Sequence, residues 1–138
     1  MKLKVMLLPL LILGLALSAC AGEQANNPQA AVTGEVIKLD AAMLPPGAVV
    51  EVKLLDVSRQ DVEAVEISTF TTELGDDQLP VGFELPYDPE AIQPQAIYTV
   101  RAVVRDADGN LLYTSTKAIT VITEGAPVRN VEVIVEPV

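Results

Sequence analysis

Along much of the chain, apolar and polar residues take turns. Val50, Val52 and Leu54 are separated by Glu51 and Lys53, and Val81, Phe83 and Leu85 by Gly82 and Glu84. Tyr98, Val100, Ala102 and Val104 alternate with Thr99 and Arg101, and Val131, Val133 and Val135 lie beside Glu132 and Glu136. A period of two sends successive side chains to opposite faces, one onto a core and one into water. The pattern predicts strands whose buried faces are built by Val50, Val52, Leu54, Phe83, Leu85, Tyr98, Val100, Val104, Val131, Val133 and Val135. Val32–Lys38, Ala64–Thr72 and Leu111–Ile122, rich in Val, Ile and Thr, predict further strands, the last with room for two short ones. Helix fits only in short pieces, around Asp40–Leu44 or Asp88–Ile92.

Breakers separate these runs: Pro45-Pro46-Gly47, Gly75-Asp76-Asp77, the prolines at 86, 89 and 94, Asp106 to Asn110, and Gly125-Ala126-Pro127. About seven short strands between such turns predict an all-β domain over residues 32–138, a single immunoglobulin-like β-sandwich, with a small barrel as the alternative. Tyr98 opens a strand after Gln93-Pro94-Gln95. That placement predicts a tyrosine corner, the hydroxyl bonding backbone a few residues upstream.

The N-terminus follows another pattern. Lys2 and Lys4 precede an apolar run from Val5 to Leu17, and Ser18, Ala19 and Cys20 follow. This is the layout of an export signal over residues 1–19, and the run is shorter than the roughly 20 residues a membrane span needs. Leu17-Ser18-Ala19-Cys20 resembles the bacterial lipobox, which implies cleavage before Cys20 and acylation of its thiol and new amino group. Two or three acyl chains anchor firmly where one does not. Ala21 in place of Asp after the cysteine implies sorting to the outer membrane. Residues 20–31 are polar around Asn26-Asn27-Pro28 and read as a flexible tether reaching about 35–40 Å.

Charge and composition narrow the chemistry. The formal net charge is −10, and losing Lys2 and Lys4 with the leader makes the mature chain more acidic still. A nucleic-acid binder that neutralises phosphates needs the opposite sign, as does a polybasic membrane patch. There is no histidine and one cysteine, which excludes Ser-His-Asp and Cys-His catalysis and the commonest zinc ligand. Asp106 and Asp108 before Gly109 have the start of a calcium-loop spacing, but Lys117 stands where the bidentate glutamate belongs, so the segment reads as a hairpin turn. Asp76-Asp77, Asp61 with Glu63, and Glu84 with Asp88 are the carboxylate pairs a glycan hydrolase would use. No tryptophan accompanies them, and a solvated acidic surface accounts for them. Ser58, beside Arg59, and Ser68 have no histidine or lysine to activate them. No Gly-rich phosphate loop is present. No catalytic residue, metal ligand or cofactor is therefore expected, and Cys20 is the single candidate site, for lipid.

Leu44-Pro45-Pro46-Gly47-Ala48-Val49-Val50-Glu51-Val52, continuing into Leu54 to Arg59, is similar to the opening of the YbaY/YscW family of bacterial lipoproteins. Phe83 to Pro89, Tyr98 to Ala102, Gly109 with Leu111 and Tyr113, and Val121 to Gly125 follow in the family's order, so the resemblance spans Val32 to Val135. It implies a β-sandwich lipoprotein. Its YscW-like branch comprises pilotins, which help a type III secretion secretin reach and assemble in the outer membrane, and no family catalytic residue is carried over. The expected function is a lipid-anchored, non-catalytic binding or chaperone module at the outer membrane, facing the periplasm. Its partners would be the membrane, through the lipid, and another envelope protein with basic patches. A structural or stress-related envelope protein without a client is the alternative, and a carboxylate hydrolase stands third.

Overall fold

The computed structural model describes residues 30–138. The expected signal peptide, Cys20, Ala21 and the expected tether as far as Gln29 lie outside the described residues. Eight strands follow one another: β1 (Ala30–Lys38), β2 (Val49–Asp56), β3 (Val65–Glu73), β4 (Val81–Tyr87), β5 (Tyr98–Arg105), β6 (Leu111–Ser115), β7 (Ile119–Val121) and β8 (Val131–Pro137). Within Asp88–Ile92 there is one short 3-10 turn, Pro89–Ala91, capped by the Asp88 carboxylate, which accepts the Glu90 N–H at 2.9 Å.

The domain is all-β, as the alternation predicts. Its strands form one sheet in the order β3-β2-β5-β6-β8-β1-β4, with β7 alongside β5. Neighbours are antiparallel except β1 and β8, which run parallel. The two packed faces are halves of this single sheet, which curls until β3 and β4 approach each other, nearly closing a barrel. All eleven expected core residues are buried. Val32 and Val36 of β1 and Val121 of β7 join the same core, as do Leu44, Ala48, Leu74, Ala96, Ala102 and Tyr113. β1 starts at Ala30, opposite Tyr87, two residues ahead of the expected start of the folded part.

Local chemistry explains the connections. Asp40–Leu44 is not helical: Lys38 Nζ bonds the carbonyl oxygens of Asp40 at 2.9 Å and of Ala42, so these acceptors serve a side chain instead of a helix. Pro45 also disfavours helical backbone at Leu44. Gln78 pins the same segment, accepting the Leu44 N–H at 2.7 Å and donating to its carbonyl at 3.1 Å. Tyr98 makes the expected corner, its hydroxyl accepting the Gln93 N–H at 3.1 Å. Gly34 of β1 faces Val131 of β8, where a Cβ would lie 1.9 Å from the Val131 carbonyl oxygen. Only glycine lets the two backbones come so close.

Candidate docking seam

The sheet ends at β3 on one side and β4 on the other, and these ends meet along a seam. β4 directs Phe83 and Leu85 into the core, opposite Gly34 and Val32 of β1. Among the described residues β3 pairs only with β2, which sets Phe70 opposite Val52 and Thr72 opposite Val50. A register shift follows, with Leu54 facing Ser68 and Leu55 facing Glu66, so Ile67 has no cross-strand partner. A bulge of this kind bends an edge strand and re-aims its side chains. No residue of β3 is fully buried, and Val65 is 61% and Ile67 39% exposed.

Two grooves lie along the seam. The larger, ≈ 660 Å³, is lined by Gly34 and Glu35 of β1, by Gly82, Phe83 and Glu84 of β4 and, from β3, by Phe70. Glu132 of β8 lines it too, beside Glu35 in the parallel register. The smaller, ≈ 360 Å³, lies between Ile67 and Ser68 of β3 and Pro86, Tyr87 and Ile92 across the seam. The Ser68 hydroxyl oxygen is buried in that wall with no hydrogen-bond partner among the described residues.

The charge along the seam has one sign. Between Gln60 and Val100 the sequence holds no lysine or arginine and nine of its 19 acids. Lys53 of β2 is the cation that reaches β3, 3.1 Å from Glu66 and 3.6 Å from Glu51. The hydrogen bond to Glu66, then the charges of Glu51 and Glu66, push the Lys53 ammonium above its ordinary value. The Thr69 hydroxyl and then Lys53 hold Glu66 below the usual carboxylate range. Both partners are exposed, so the pair adds little stability.

The residues singled out in the sequence fall elsewhere or into structural roles. Asp106 organises the hairpin turn, its carboxylate accepting the backbone N–H of Asp108 and of Asn110 at 2.9 Å and the Asn110 side chain at 3.0 Å. The Asn110 side-chain bond, and then its backbone N–H, hold the Asp106 carboxyl below its ordinary value. Gly109, at φ 88°, supplies the left-handed residue of the turn. Among the described residues no three His, Cys, Asp or Glu side chains converge as a metal ion would need. Asp61, Glu63, Asp76 and Asp77 are exposed, Glu84 stands in the larger groove's wall, and Asp88 caps the 3-10 turn. The Ser58 hydroxyl bonds the Asp56 carboxylate and accepts the Ile97 N–H at 2.9 Å, a loop-fastening role. Sequence reasoning missed the seam itself. Its signal was present, as the long stretch without a basic residue, but nothing local says which strands end a sheet.

Three comparisons bear on this geometry. The model of the family described as type III secretion system lipoprotein chaperone (YscW) matches residues 27–133. An alternative pilotin from the type II secretion system of Vibrio cholerae has a similar solved structure, with a TM-score of 0.70 and 31% sequence identity. The similarity covers 78% of this chain and 97% of that one. No curated protein matches the chain.

Proposed function

The chain belongs to the YscW family of type III secretion system lipoprotein chaperones, and from that premise we propose that it is a pilotin-like, non-catalytic assembly factor of the cell envelope. It docks a secretion-system component through the β3–β4 seam and helps that component assemble. The observation that carries this reading is the likeness to a pilotin over 97% of that protein's chain, in a domain with acidic, partly apolar grooves beside the β3–β4 seam. The carboxylates of the seam serve recognition of a basic partner in this reading.

The domain is held at the outer membrane by lipid on Cys20, facing the periplasm, with residues 1–19 removed and Ala21 directing the sorting. Support for this reading is the Leu17-Ser18-Ala19-Cys20 motif and the family's description as lipoprotein chaperones. Cys20→Ser should abolish acyl labelling and release the protein from membranes. A processed, membrane-bound Cys20→Ser form would sink the anchor.

Deleting the gene in its host and quantifying secretion apparatus in the outer-membrane fraction tests the role. Assembly should fall, and a photo-crosslinker placed at Phe70 should join the chain to a component of that apparatus. Unchanged assembly, with no such adduct, would overturn the proposal.

A further inference from the structure

We propose that the free edge of β3 receives an extended, lysine- or arginine-bearing segment of the partner protein as an added strand. This rests on the pilotin-like reading and names the chemistry of the partner it requires.

The edge itself is the first argument. β3 runs for nine residues and, among the described residues, is hydrogen-bonded to β2 alone, so a row of its backbone N–H and C=O groups is left without a ladder partner and opens onto the seam, where β4 approaches without pairing. Proteins usually blunt such edges with lysine, proline or short length. Apart from the bulge at Ile67, β3 has none of these: it carries Val65, Ile67, Thr69, Thr71 and Thr72, all strand formers, and no proline or lysine. β4, the opposite edge, is shorter and contains Pro86, which offers no N–H to a further strand. Of the two ends of the sheet, β3 is the one built to accept a partner.

The surroundings specify what that partner carries. Val62, Val65 and Ile67 expose apolar surface at the start of the edge, and the groove beside Ile67 holds Tyr87, Ile92 and the unpartnered Ser68 hydroxyl. Apolar side chains of an incoming strand fit there, at alternate positions. Glu63, Glu66, Glu73, Asp76 and Asp77 flank the edge and Glu84 faces it across the seam, with no basic residue anywhere from 60 to 100. Charge complementarity therefore asks for cationic side chains on the partner segment. The same acids argue against a second copy of this chain, which would bring like charges onto like charges. Strand addition takes its affinity from main-chain hydrogen bonds and its specificity from pockets for alternate side chains, and here the unpaired edge of β3 offers the first and the groove beside Ile67 the second.

The test titrates the purified full chain with a blocked ten-residue peptide alternating lysine and valine, followed by fluorescence anisotropy and by backbone hydrogen exchange. The expected result is saturable binding with slowed exchange at β3. Thr71 is exposed on that strand, so Thr71→Lys should leave the fold intact and weaken binding at least tenfold. Methylating alternate peptide nitrogens, which keeps the charge and removes donors, should weaken it as much, and replacing lysine by glutamate should abolish it. Equal binding of the methylated peptide, protection confined to other strands, a helical bound peptide, or no saturable binding would each overturn the inference. A chromosomal Thr71→Lys strain separates the two levels. Normal assembly in that strain sinks strand addition and leaves the pilotin-like reading standing, whereas normal assembly after deleting the whole gene sinks the reading itself.

Discussion

At position 34 there is no room for even one methyl group. A Cβ there would lie 1.9 Å from the Val131 carbonyl oxygen and 2.9 Å from its nitrogen, and both belong to backbone fixed in the β1–β8 ladder. Gly34→Ala must therefore push β1 and β8 apart, and we expect a loss of about 3 kcal/mol, read from chemical denaturation. Val100 is fully buried, so Val100→Asp would place an unpaired charge in the core and should prevent folding or cost several kcal/mol. Tyr98→Phe keeps the ring and removes the acceptor of the Gln93 N–H, which should cost about 1 kcal/mol. The two kinds of residue differ in how visible they were. The buried valines follow from spacing to their nearest neighbours, so alternation reveals them. The demand at Gly34 comes from a strand at the far end of the chain, and no local pattern carries it.

Between strands, side chains fasten segments that have no ladder of their own. Lys38 bonds Asp40 Oδ1 at 2.8 Å and lies 5.6 Å from the centre of the Tyr113 ring. The Tyr113 hydroxyl donates to Asp40 Oδ2 at 2.8 Å. This ties the turn after β1 to β6. The bond from Lys38 first, and then that from Tyr113, hold the Asp40 carboxyl below its ordinary 3.8. A depressed carboxylate adds stability that is present above 3.8 and disappears as pH falls through the lower folded value. Asp40→Asn should therefore make the stability curve shallower below pH 3.8, without removing the slope contributed by Glu66 and Asp106, whose carboxyls are also lowered. The bond to Asp40 raises the Tyr113 hydroxyl above 10.0, so its share is present below pH 10.0 and is lost as pH rises through the higher value. Tyr113→Phe should flatten both limbs in denaturation measured across pH. Strands were legible at this scale to within a residue or two, including the division of Leu111–Ile122 into β6 and β7. Their order was not. Ala64–Thr72 reads as a strand in any position, and only the completed sheet shows that β3 lies at its edge, with Ile67 bulged out of the ladder.

For the whole molecule, the distribution of charge matters more than its sum. The net charge of −10 favours any cationic partner, but nine of the 19 acids fall in the stretch from 60 to 100 that lacks a basic residue, and that stretch supplies β3, β4 and the turns at both ends of the seam. A field concentrated there steers a basic segment toward the open edge during encounter, which acts mainly on the association rate. The proposed lipid and tether would add to this by confining the domain near the membrane, raising its effective concentration for a neighbour anchored in the same layer. The field is exposed, so salt must screen it: the screening length shrinks from about 10 Å at 0.1 M to about 3 Å at 1 M. Association with the envelope partner should slow by about tenfold as salt rises across that range, while dissociation changes little. Two charge reversals separate local steering from overall charge. Asp76→Lys with Asp77→Lys, beside the seam, should slow association markedly at low salt and lessen its dependence on salt. Asp108→Lys with Glu136→Lys changes the net charge equally at exposed positions outside the seam and should do far less. Stopped-flow or surface-binding kinetics on the two variants decide between them. Equal slowing by both would mean that total charge, and not the seam, guides the encounter.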